Sequence, residues 1–193
     1  IIGGVAGGMS AATRLRRLDE NAEIIVFEKG NEVSFANCGL PYFIGDVIKD
    51  RDDLLLQTPT SLNDRYNLDV RVNHEVIKIT PNDSSVLVKN TKTNIEESFE
   101  YDNLILSMGA SPFIPPIDGI ENAFPLRDMY DVDRLVVATE QAVINNESAV
   151  VIGAGFIGVE VAENLKKRGA SEFDMIGERI QMDFGNTPKF RLN

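Results

Sequence analysis

The stretch Ile1-Ile2-Gly3-Gly4-Val5-Ala6-Gly7-Gly8 is a short apolar run that leads into a cluster of glycines. Apolar residues then recur at helical spacing over residues 11–18, and the continuous apolar run at 24–27 is typical of a buried parallel strand. Glu28 ends that run. A glycine turn, a helix and a strand-terminal acid in this order predict a dinucleotide-binding βαβ unit. In such a unit, backbone N–H groups approach a pyrophosphate and the acid accepts hydrogen bonds from a ribose.

The first unit departs from the standard pattern at Val5, which occupies the second glycine position of G-x-G-x-x-G. The alternative is therefore a glycine turn that only packs the helix against the strand. Two apolar residues precede Gly3, whereas a strand usually has about five residues. We accordingly expect the first strand to begin before Ile1.

A complete fingerprint, Gly153-Ala154-Gly155-Phe156-Ile157-Gly158, follows an apolar run at 148–152. The helix predicted after it extends to Arg168, and this context predicts a second dinucleotide-binding unit. The next strand should end in an acid, but residues 172–178 form a poor strand pattern, and Glu178 is not assigned a ribose contact. We expect the second domain to be incomplete, by truncation or by the joining of non-adjacent segments.

Alternating apolar and polar residues at 76–79, 85–89 and 96–101 predict a three-stranded antiparallel meander. A strand is predicted on each side of it, at 68–72 and at 102–106, and the second of these is expected to be buried. The meander is therefore an insertion in the first nucleotide-binding domain.

The proline-rich stretch at 112–116 predicts a domain boundary, and helical spacing returns at 128–145. The sequence therefore predicts an α/β protein. It comprises a Rossmann-like domain with an inserted antiparallel β-meander over residues 1–111, a linker and helix over 112–147, and the start of a second Rossmann-like domain over 148–193.

The formal net charge of −11 and the isoelectric point near 4.6 argue against nucleic acid or an anionic membrane surface as a partner. No apolar run in the sequence reaches the roughly 18 residues that span a bilayer. The single cysteine cannot form an internal disulfide, and no signal peptide is evident. These features favour a reducing compartment, so we expect a cytoplasmic protein.

The single cysteine lies in Ser34-Phe35-Ala36-Asn37-Cys38-Gly39-Leu40-Pro41-Tyr42, between a predicted strand and a predicted short helix. A thiol at the start of a helix lies at the positive end of the helix dipole, which favours the nucleophilic thiolate. The alternative is a buried structural cysteine that acts as a small hydrophobe. His74, the single histidine, has no neighbour in the sequence for acid–base work, and we interpret it as a surface or loop residue.

Two dinucleotide units with an isolated cysteine between them resemble the pyridine nucleotide-disulfide oxidoreductases over residues 1–169. Dithiol members carry C-x-x-x-x-C, but Phe43 stands at the second cysteine position after Cys38. The motif S-F-x-N-C-G-L-P-Y is similar to that of the single-cysteine subgroup, which includes coenzyme A-disulfide reductases, NADH oxidases, NADH peroxidases and persulfide reductases. The opening of the chain is similar to that of coenzyme A-disulfide reductases. Ala6 stands where peroxidases and water-forming oxidases carry histidine, so the resemblance favours thiol chemistry.

This resemblance implies FAD in the first unit and NADH or NADPH in the second. The residues that it implies for FAD are the turn glycines and strand-end acid Gly3, Gly4, Gly8 and Glu28, with Val76 near the adenine and Gly109 and Ala110 along the cofactor. For the nicotinamide nucleotide they are Gly153, Gly155 and Gly158.

The activity that the resemblance implies is reduction of coenzyme A disulfide, or a related small disulfide, through a mixed disulfide between Cys38 and coenzyme A. Asn37 and Ser34 would orient the substrate or the sulfur; alternatively, they cap the loop. A homodimer is implied for the full-length protein. The alternatives are an NADH oxidase or persulfide reductase of the same family, a non-catalytic flavin-binding redox sensor or fragment, and an NAD-dependent dehydrogenase with an incidental cysteine.

Overall fold

The computed structural model describes residues 1–170 and the backbone of the strand Phe173–Ile176. The chain divides into two compact units. Unit 1 comprises Ile1–Phe35 and Leu55–Ser111, and unit 2 comprises Ala36–Leu54 together with the described residues from Pro112 onward. This division differs from the sequence-based boundaries in grouping Ala36–Leu54 with the later residues, and those boundaries stay a prediction.

The described elements are a mixture of helices and strands, as expected for an α/β protein. The helices are α1 (Ala6–Leu18), α2 (Leu40–Ile44), α3 (Pro59–Tyr66), α4 (Met129–Asn145) and α5 (Phe156–Arg168). The strands are β1 (Ile25–Glu28), β2 (Asp69–Val72), β3 (His74–Thr80), β4 (Ser85–Asn90), β5 (Glu96–Glu100), β6 (Ala149–Ile152) and β7 (Phe173–Ile176). Short 3-10 turns occupy Asn37–Gly39, Arg51–Leu54, Pro81–Asp83 and Ile120–Asn122. No helix among the described residues is long and apolar enough to cross a membrane.

The nucleotide-binding layout of unit 1 begins with Ile2, which forms a parallel bridge to Phe27 on β1. Helix α1 crosses between them and buries Met9 and Ala12 against the sheet. On its other side β1 pairs in parallel with β2, with Val26 opposite Val70. Strands in a crossover unit are parallel and apolar, so the run at 24–27 forms the buried strand that its composition predicts.

Helix α3 shows how local sequence sets the ends of an element in this chain. Thr58 Oγ1 accepts a hydrogen bond from the Ser61 N–H at 3.1 Å, and Ser61 Oγ accepts from the Thr58 N–H at 2.9 Å. Pro59, whose fixed φ suits a first helical position, follows the cap. Asn67, in the left-handed conformation, ends the helix and leads into β2.

Strands β3, β4 and β5 form the predicted antiparallel meander in that order. Its inward face joins Val86 and Val88 to Phe27 of β1. The rings of Phe27 and Phe99 lie 5.0 Å apart, and the Arg71 guanidinium stands over both. The meander is therefore packed on the sheet of unit 1 by an aromatic and β-branched cluster.

The prediction of a buried strand at 102–106 is wrong. This segment forms one isolated parallel bridge, between Leu106 and Ile2. Ile2 donates its N–H to Ile105 O at 2.9 Å, and its carbonyl accepts from the Ser107 N–H at 2.8 Å. Since Ile2 offers a single residue of pairing, no ladder forms, and Leu106 stays 54% exposed.

The second predicted βαβ unit is present in unit 2 as β6, α5 and β7. Strands β6 and β7 pair in parallel from Ala149 opposite Phe173 to Ile152 opposite Ile176. The interpretation of residues 172–178 as a poor strand is thus corrected. The acid at position 174 interrupts the apolar pattern of the sequence, but the backbone of residues 173–176 still pairs with β6. Glu178 lies outside the described residues.

Segment 36–54 of unit 2 forms a closed loop that carries the cysteine. The Ala36 N–H donates to the Leu54 carbonyl at 2.8 Å and closes its base. Helix α2, which lies inside it, contacts both α4 and α5. Helix α4 begins at Asp128, whose Oδ1 accepts from the Asp131 N–H at 3.0 Å.

Candidate functional site

The first glycine turn closes by backbone contacts that leave no room for side chains. Gly3 has a φ of +101°, and a Cβ on it would lie 2.2 Å from the Ser107 carbonyl oxygen. A Cβ on Gly8 would lie 1.8 Å from the Gly3 carbonyl oxygen. Gly4 is buried, and a Cβ there would come within 2.8 Å of Val33 Cγ1. These glycines are therefore required for α1 to pack on the strands, whatever the turn binds.

The start of α1 is suited to an anion. Its N-cap is Val5, and within the described part of the chain no side chain caps the helix and no acid occupies its first turn. The first N–H groups of a helix have no partner within it, and they carry the positive end of the helix dipole. Ala6 and Gly7 at this end are exposed, so a pyrophosphate can approach these N–H groups.

Glu28 locks the end of β1 to the glycine turn. Its Oε2 accepts a hydrogen bond from the Gly4 N–H at 2.8 Å, and its Oε1 accepts from the Gly30 N–H at 2.8 Å. A carboxylate oxygen can accept more than one hydrogen bond, so ribose hydroxyls can still bind here. Because the Gly4 N–H already donates to Glu28, Gly4 contributes to the site by positioning that carboxylate.

The second glycine turn repeats the geometry of the first. Gly153 has a φ of +112°, close to the +101° of Gly3. A Cβ on Gly158 would lie 1.8 Å from the Gly153 carbonyl oxygen, the same distance as between Gly8 and Gly3. Two turns with the same backbone geometry, each before a helix of 13 residues, favour the same kind of ligand.

Gly155 takes the place in the second turn that Val5 takes in the first. Each is the N-cap of its helix, and each carbonyl accepts the first helical hydrogen bond at 3.0 Å. In the described part of the chain a Cβ on Gly155 or on Gly153 would meet no atom within 4 Å. The open side of this turn therefore has room for a ligand to approach the backbone at the uncapped start of α5.

The remaining residues implied for FAD lie in unit 1. Val76 on β3 is half-buried and packs against the cluster of Phe27, Val86 and Val88. Gly109, with a φ of +67°, and Ala110 are both exposed. Contact of these residues with FAD stays a prediction.

Cys38 is exposed, in the 3-10 turn Asn37–Gly39 that leads directly into α2. The alternative interpretation as a buried structural cysteine is therefore wrong. A Cβ on Gly39 would lie 2.6 Å from Leu54 Cδ2, so the chain packs tightly just after the thiol. The Asn37 side chain is exposed beside it. A thiol presented in this way can be reached by a disulfide in solution.

Ser34 is held through its backbone in unit 1. Its N–H donates to the Gly4 carbonyl at 2.9 Å, and its carbonyl accepts from the Leu56 N–H at 3.1 Å. Its φ of +50° lies in the left-handed region, which is uncommon and costly for a serine. The carbonyl of the first glycine turn is thus fastened to a strained residue four positions before Cys38.

His74 serves the junction between β2 and β3. Its Nδ1 donates to the Val72 carbonyl at 2.7 Å, and its Nε2 lies 3.4 Å from Asn90 Nδ2. Both ring nitrogens have partners, and His74 is the half-buried first residue of β3, so its interpretation as a surface or loop residue is corrected. In the described part of the chain no group of three or more His, Cys, Asp or Glu is placed to hold a metal ion.

Sequence analysis missed the contact that groups the cysteine segment with α5. Gly45 follows α2, and a Cβ on it would lie 2.3 Å from Oδ1 of the fully buried Asn164. The signal that could have found this contact is a polar residue beside Ala162 and Leu165 on the inward face of α5.

Comparisons with a protein-family model, with curated proteins and with solved structures all find relatives of the same kind. The family model described as pyridine nucleotide-disulphide oxidoreductase matches residues 1–181. Coenzyme A disulfide reductase of Staphylococcus haemolyticus is 43% identical over 169 residues, 88% of this chain and 38% of that protein. Reduced Bacillus anthracis CoADR-RHD has a TM-score of 0.86 and 49% identity, covering 91% of this chain and 32% of that one. A NAD-dependent persulfide reductase from A. fulgidus has a TM-score of 0.84 and 35% identity, covering 91% and 33%.

This chain therefore spans 38% of the length of the curated relative that it matches. The family match covers both glycine turns, the exposed cysteine and the meander. These are the features on which the sequence resemblance rests, and that resemblance is confirmed. The chain belongs to the pyridine nucleotide-disulphide oxidoreductase family.

Proposed function

We propose that the protein containing this chain is an FAD-dependent NAD(P)H:disulfide oxidoreductase that reduces coenzyme A disulfide, or a related small disulfide, through Cys38. The observation that carries the proposal is the exposure of Cys38 at the start of α2. Cys38 is the single cysteine of this chain, and Phe43 stands where dithiol members carry the second one. We propose that the other sulfur of the redox pair comes from the substrate.

The first turn is the proposed FAD site, because the open start of α1 suits a pyrophosphate and the Glu28 carboxylate suits a ribose. The residues proposed to hold FAD are Gly3, Gly4, Gly8, Glu28, Val76, Gly109 and Ala110. When bound, FAD would supply two-electron transfer between NAD(P)H and sulfur.

The second turn is the proposed NAD(P)H site. Its fit rests on the open space beside Gly153 and Gly155 at the uncapped start of α5. Gly158 contributes by allowing α5 to approach the turn, since its missing Cβ makes room for the Gly153 carbonyl.

The chemistry at Cys38 is thiol–disulfide exchange. The Cys38 thiolate attacks one sulfur of coenzyme A disulfide; a Cys38–coenzyme A disulfide forms, the original S–S bond breaks, and one coenzyme A leaves as its thiolate. Two electrons from NAD(P)H, with protons from solvent, then cleave the mixed disulfide and release the second coenzyme A. In total, NAD(P)H, one proton and the disulfide yield NAD(P)⁺ and two thiols.

Asn37 and Ser34 are proposed to orient the substrate or the Cys38 sulfur. Asn37 is adjacent to the thiol and exposed, so its amide can donate to a departing thiolate. Ser34 is held in a strained conformation by the first glycine turn. We further propose a cytoplasmic protein without nucleic acid or membrane partners, on the basis of the single cysteine and the charge of −11. A homodimer of the full-length protein is proposed on the basis of the family resemblance alone.

A persulfide reductase is the second candidate function, favoured by the 35% identity to the A. fulgidus protein. In that case the Cys38 sulfur would accept the outer sulfur of a persulfide. An NADH oxidase would instead pass electrons to oxygen. The non-catalytic flavin-binding sensor remains a further alternative.

The test compares the full-length protein with its Cys38→Ser variant, using NADH and NADPH in parallel. We expect both proteins to bind FAD, and only the parent to oxidise NAD(P)H when coenzyme A disulfide is added. Coenzyme A disulfide reduction at the parental rate by the variant contradicts the proposal. Consumption driven by oxygen alone supports the oxidase, a response to persulfide only supports the persulfide reductase, and bound flavin that NAD(P)H does not bleach supports the sensor.

A further inference from the structure

Segment 36–54, which carries Cys38, is bound to α4 near the C-terminal end of the segment. Arg51 Nε donates to Asp133 Oδ1 at 2.8 Å, and Arg51 Nη2 donates to Asp133 Oδ2 at 2.9 Å. Such a bidentate pair fixes orientation as well as distance. This end of the segment is therefore held independently of α2.

The C-terminal end of α2 is held by α5. Arg168 Nη1 donates to the carbonyl of Ile44, the last residue of α2, at 3.2 Å. The same guanidinium lies 3.9 Å from Asp46 Oδ1 and forms an ion pair with Glu140 on α4. The Arg168 side chain is 16% exposed, whereas the carboxylates of Asp46 and Glu140 are about half-exposed, so the guanidinium is the shielded partner of these contacts. A cation at this position pairs with the free carbonyl and the negative end of the helix.

Asn164 makes a second contact at the same place. Its side chain is fully buried, and its Nδ2 donates to the Glu160 carbonyl of its own helix at 2.8 Å. Its Oδ1 has no hydrogen-bond partner among the described residues. That oxygen faces the backbone of Gly45, and such a buried, unpaired amide oxygen is uncommon in proteins.

The thiol and these contacts lie at opposite ends of one short element. Helix α2 has five residues and is about 7.5 Å long, so little more than one helical turn separates its two ends. Gly39, between Cys38 and the helix, is wedged against Leu54 and Ile48. A displacement of α2 at Gly45 is therefore passed to Cys38 rather than absorbed by the turn between them.

We propose that Arg168 and Asn164 are positioning residues for Cys38: by docking the end of α2 on α5, they set how the thiol meets its disulfide substrate. The inference rests on the proposed function, in which Cys38 is the redox thiol. It adds that the helix carrying the second glycine fingerprint also fixes the cysteine segment. Neither residue touches the reacting sulfur.

The first experiment uses the holoenzyme of the full-length protein with Arg168→Gln, and Lys167→Gln as the matched control. Lys167→Gln removes the same charge from the same helical turn, but Lys167 forms its ion pair with Glu163 on the solvent side of α5, at 2.9 Å. We expect Arg168→Gln to lower the rate of Cys38 alkylation by iodoacetamide, and of flavin reoxidation by coenzyme A disulfide, by roughly tenfold. Flavin reduction by NAD(P)H should keep the parental rate, as should every rate in the control.

A second pair of variants tests Asn164 by restoring space. Gly45→Ala places a Cβ 2.3 Å from Asn164 Oδ1 and 2.6 Å from its Cβ, so α2 must shift and alkylation of Cys38 must slow. Adding Asn164→Gly removes those atoms, and we expect the double variant to return to the alkylation rate of Asn164→Gly alone.

The outcomes separate this inference from the proposed function, because alkylation measures the thiol without turnover. Parental alkylation and reoxidation rates in Arg168→Gln overturn the inference, even if Cys38→Ser abolishes disulfide reduction. Equal decreases in the rates of flavin reduction and flavin reoxidation also overturn the inference, since they indicate that the whole protein is less well packed. Failure of the double variant to recover rules out the Gly45–Asn164 contact as the cause.

Discussion

The carbonyl oxygen of Gly153 lies 1.8 Å from the position that a Cβ on Gly158 would take, whereas a Cβ on Gly155 would meet no described atom within 4 Å. One glycine of the second fingerprint is thus required by packing, and the other leaves space open. The φ of Gly155 is −77°, which alanine adopts without strain. Substitutions at these two positions therefore separate folding from ligand binding.

We predict that Gly155→Ala leaves the melting temperature unchanged and raises the KM for NAD(P)H about tenfold, because the added methyl occupies the approach to the start of α5. Gly158→Ala should instead lower the free energy of unfolding by about 3 kcal/mol, since a backbone carbonyl must move. Thermal unfolding and steady-state kinetics of both variants check this. A parental KM for Gly155→Ala contradicts a nucleotide site at this turn.

Glu28 supports a second prediction, on the first nucleotide turn. Its two oxygens accept from the N–H groups of Gly4 and Gly30, so Glu28→Gln places an amide donor against a backbone donor. We expect a loss of about 1–3 kcal/mol of stability and weaker retention of FAD. Flavin content after gel filtration and denaturant unfolding measure the two effects. Glu96→Gln, on the exposed strand β5, is the matched control and should change neither.

Local sequence accounts for the elements whose ends are set by neighbours in the chain. Helix α3 begins and ends where Thr58, Pro59 and Asn67 place its caps. The two glycine turns, which the sequence predicted, likewise follow from short-range backbone sterics between Gly3 and Gly8 and between Gly153 and Gly158. In these places the residues that determine the conformation all lie within a few positions of one another.

The features that the sequence hid depend on contacts between distant residues. Segment 36–54 joins unit 2 through Gly45 and Asn164, and no periodicity relates a glycine to a residue so far along the chain. Leu106 was expected in a buried strand, but such a strand needs several paired residues beside it, and Leu106 forms only an isolated bridge, to Ile2. Strand β7 forms because β6 offers a parallel partner, despite the acid at position 174.

Gly39 supports a third prediction, close to the thiol. A Cβ there would lie 2.6 Å from Leu54 Cδ2 and 3.2 Å from Ile48 Cδ1, which are side-chain ends that can turn aside. We expect Gly39→Ala to cost about 1–2 kcal/mol of stability and to slow coenzyme A disulfide reduction severalfold by displacing Cys38. Leu54→Val shortens the obstructing side chain, so the double variant should regain the rate of Leu54→Val alone. No change in rate for Gly39→Ala would contradict tight packing behind the thiol.

Asp46, just beyond α2, supports a prediction about pH. Its side-chain hydrogen bond to Lys49 lowers its pKa below the ordinary 3.8, and the charges of Lys49 and Arg168 act in the same direction. A carboxyl whose pKa is lower in the folded state stabilises the fold above its unfolded pKa. That contribution is lost as the pH falls from 3.8 through the lower folded value. We therefore expect Asp46→Asn to melt below the parent at neutral pH.

The two melting temperatures should converge as the solution is acidified through that range, because the parent carboxyl then becomes protonated. Melting curves at a series of pH values measure the difference. Asp52→Asn is the control, since Asp52 is an exposed acid of the same segment and the substitution should leave the pH dependence of melting unchanged. A gap between Asp46→Asn and the parent that persists undiminished in acid would show that the carboxylate charge is not what stabilises the end of α2.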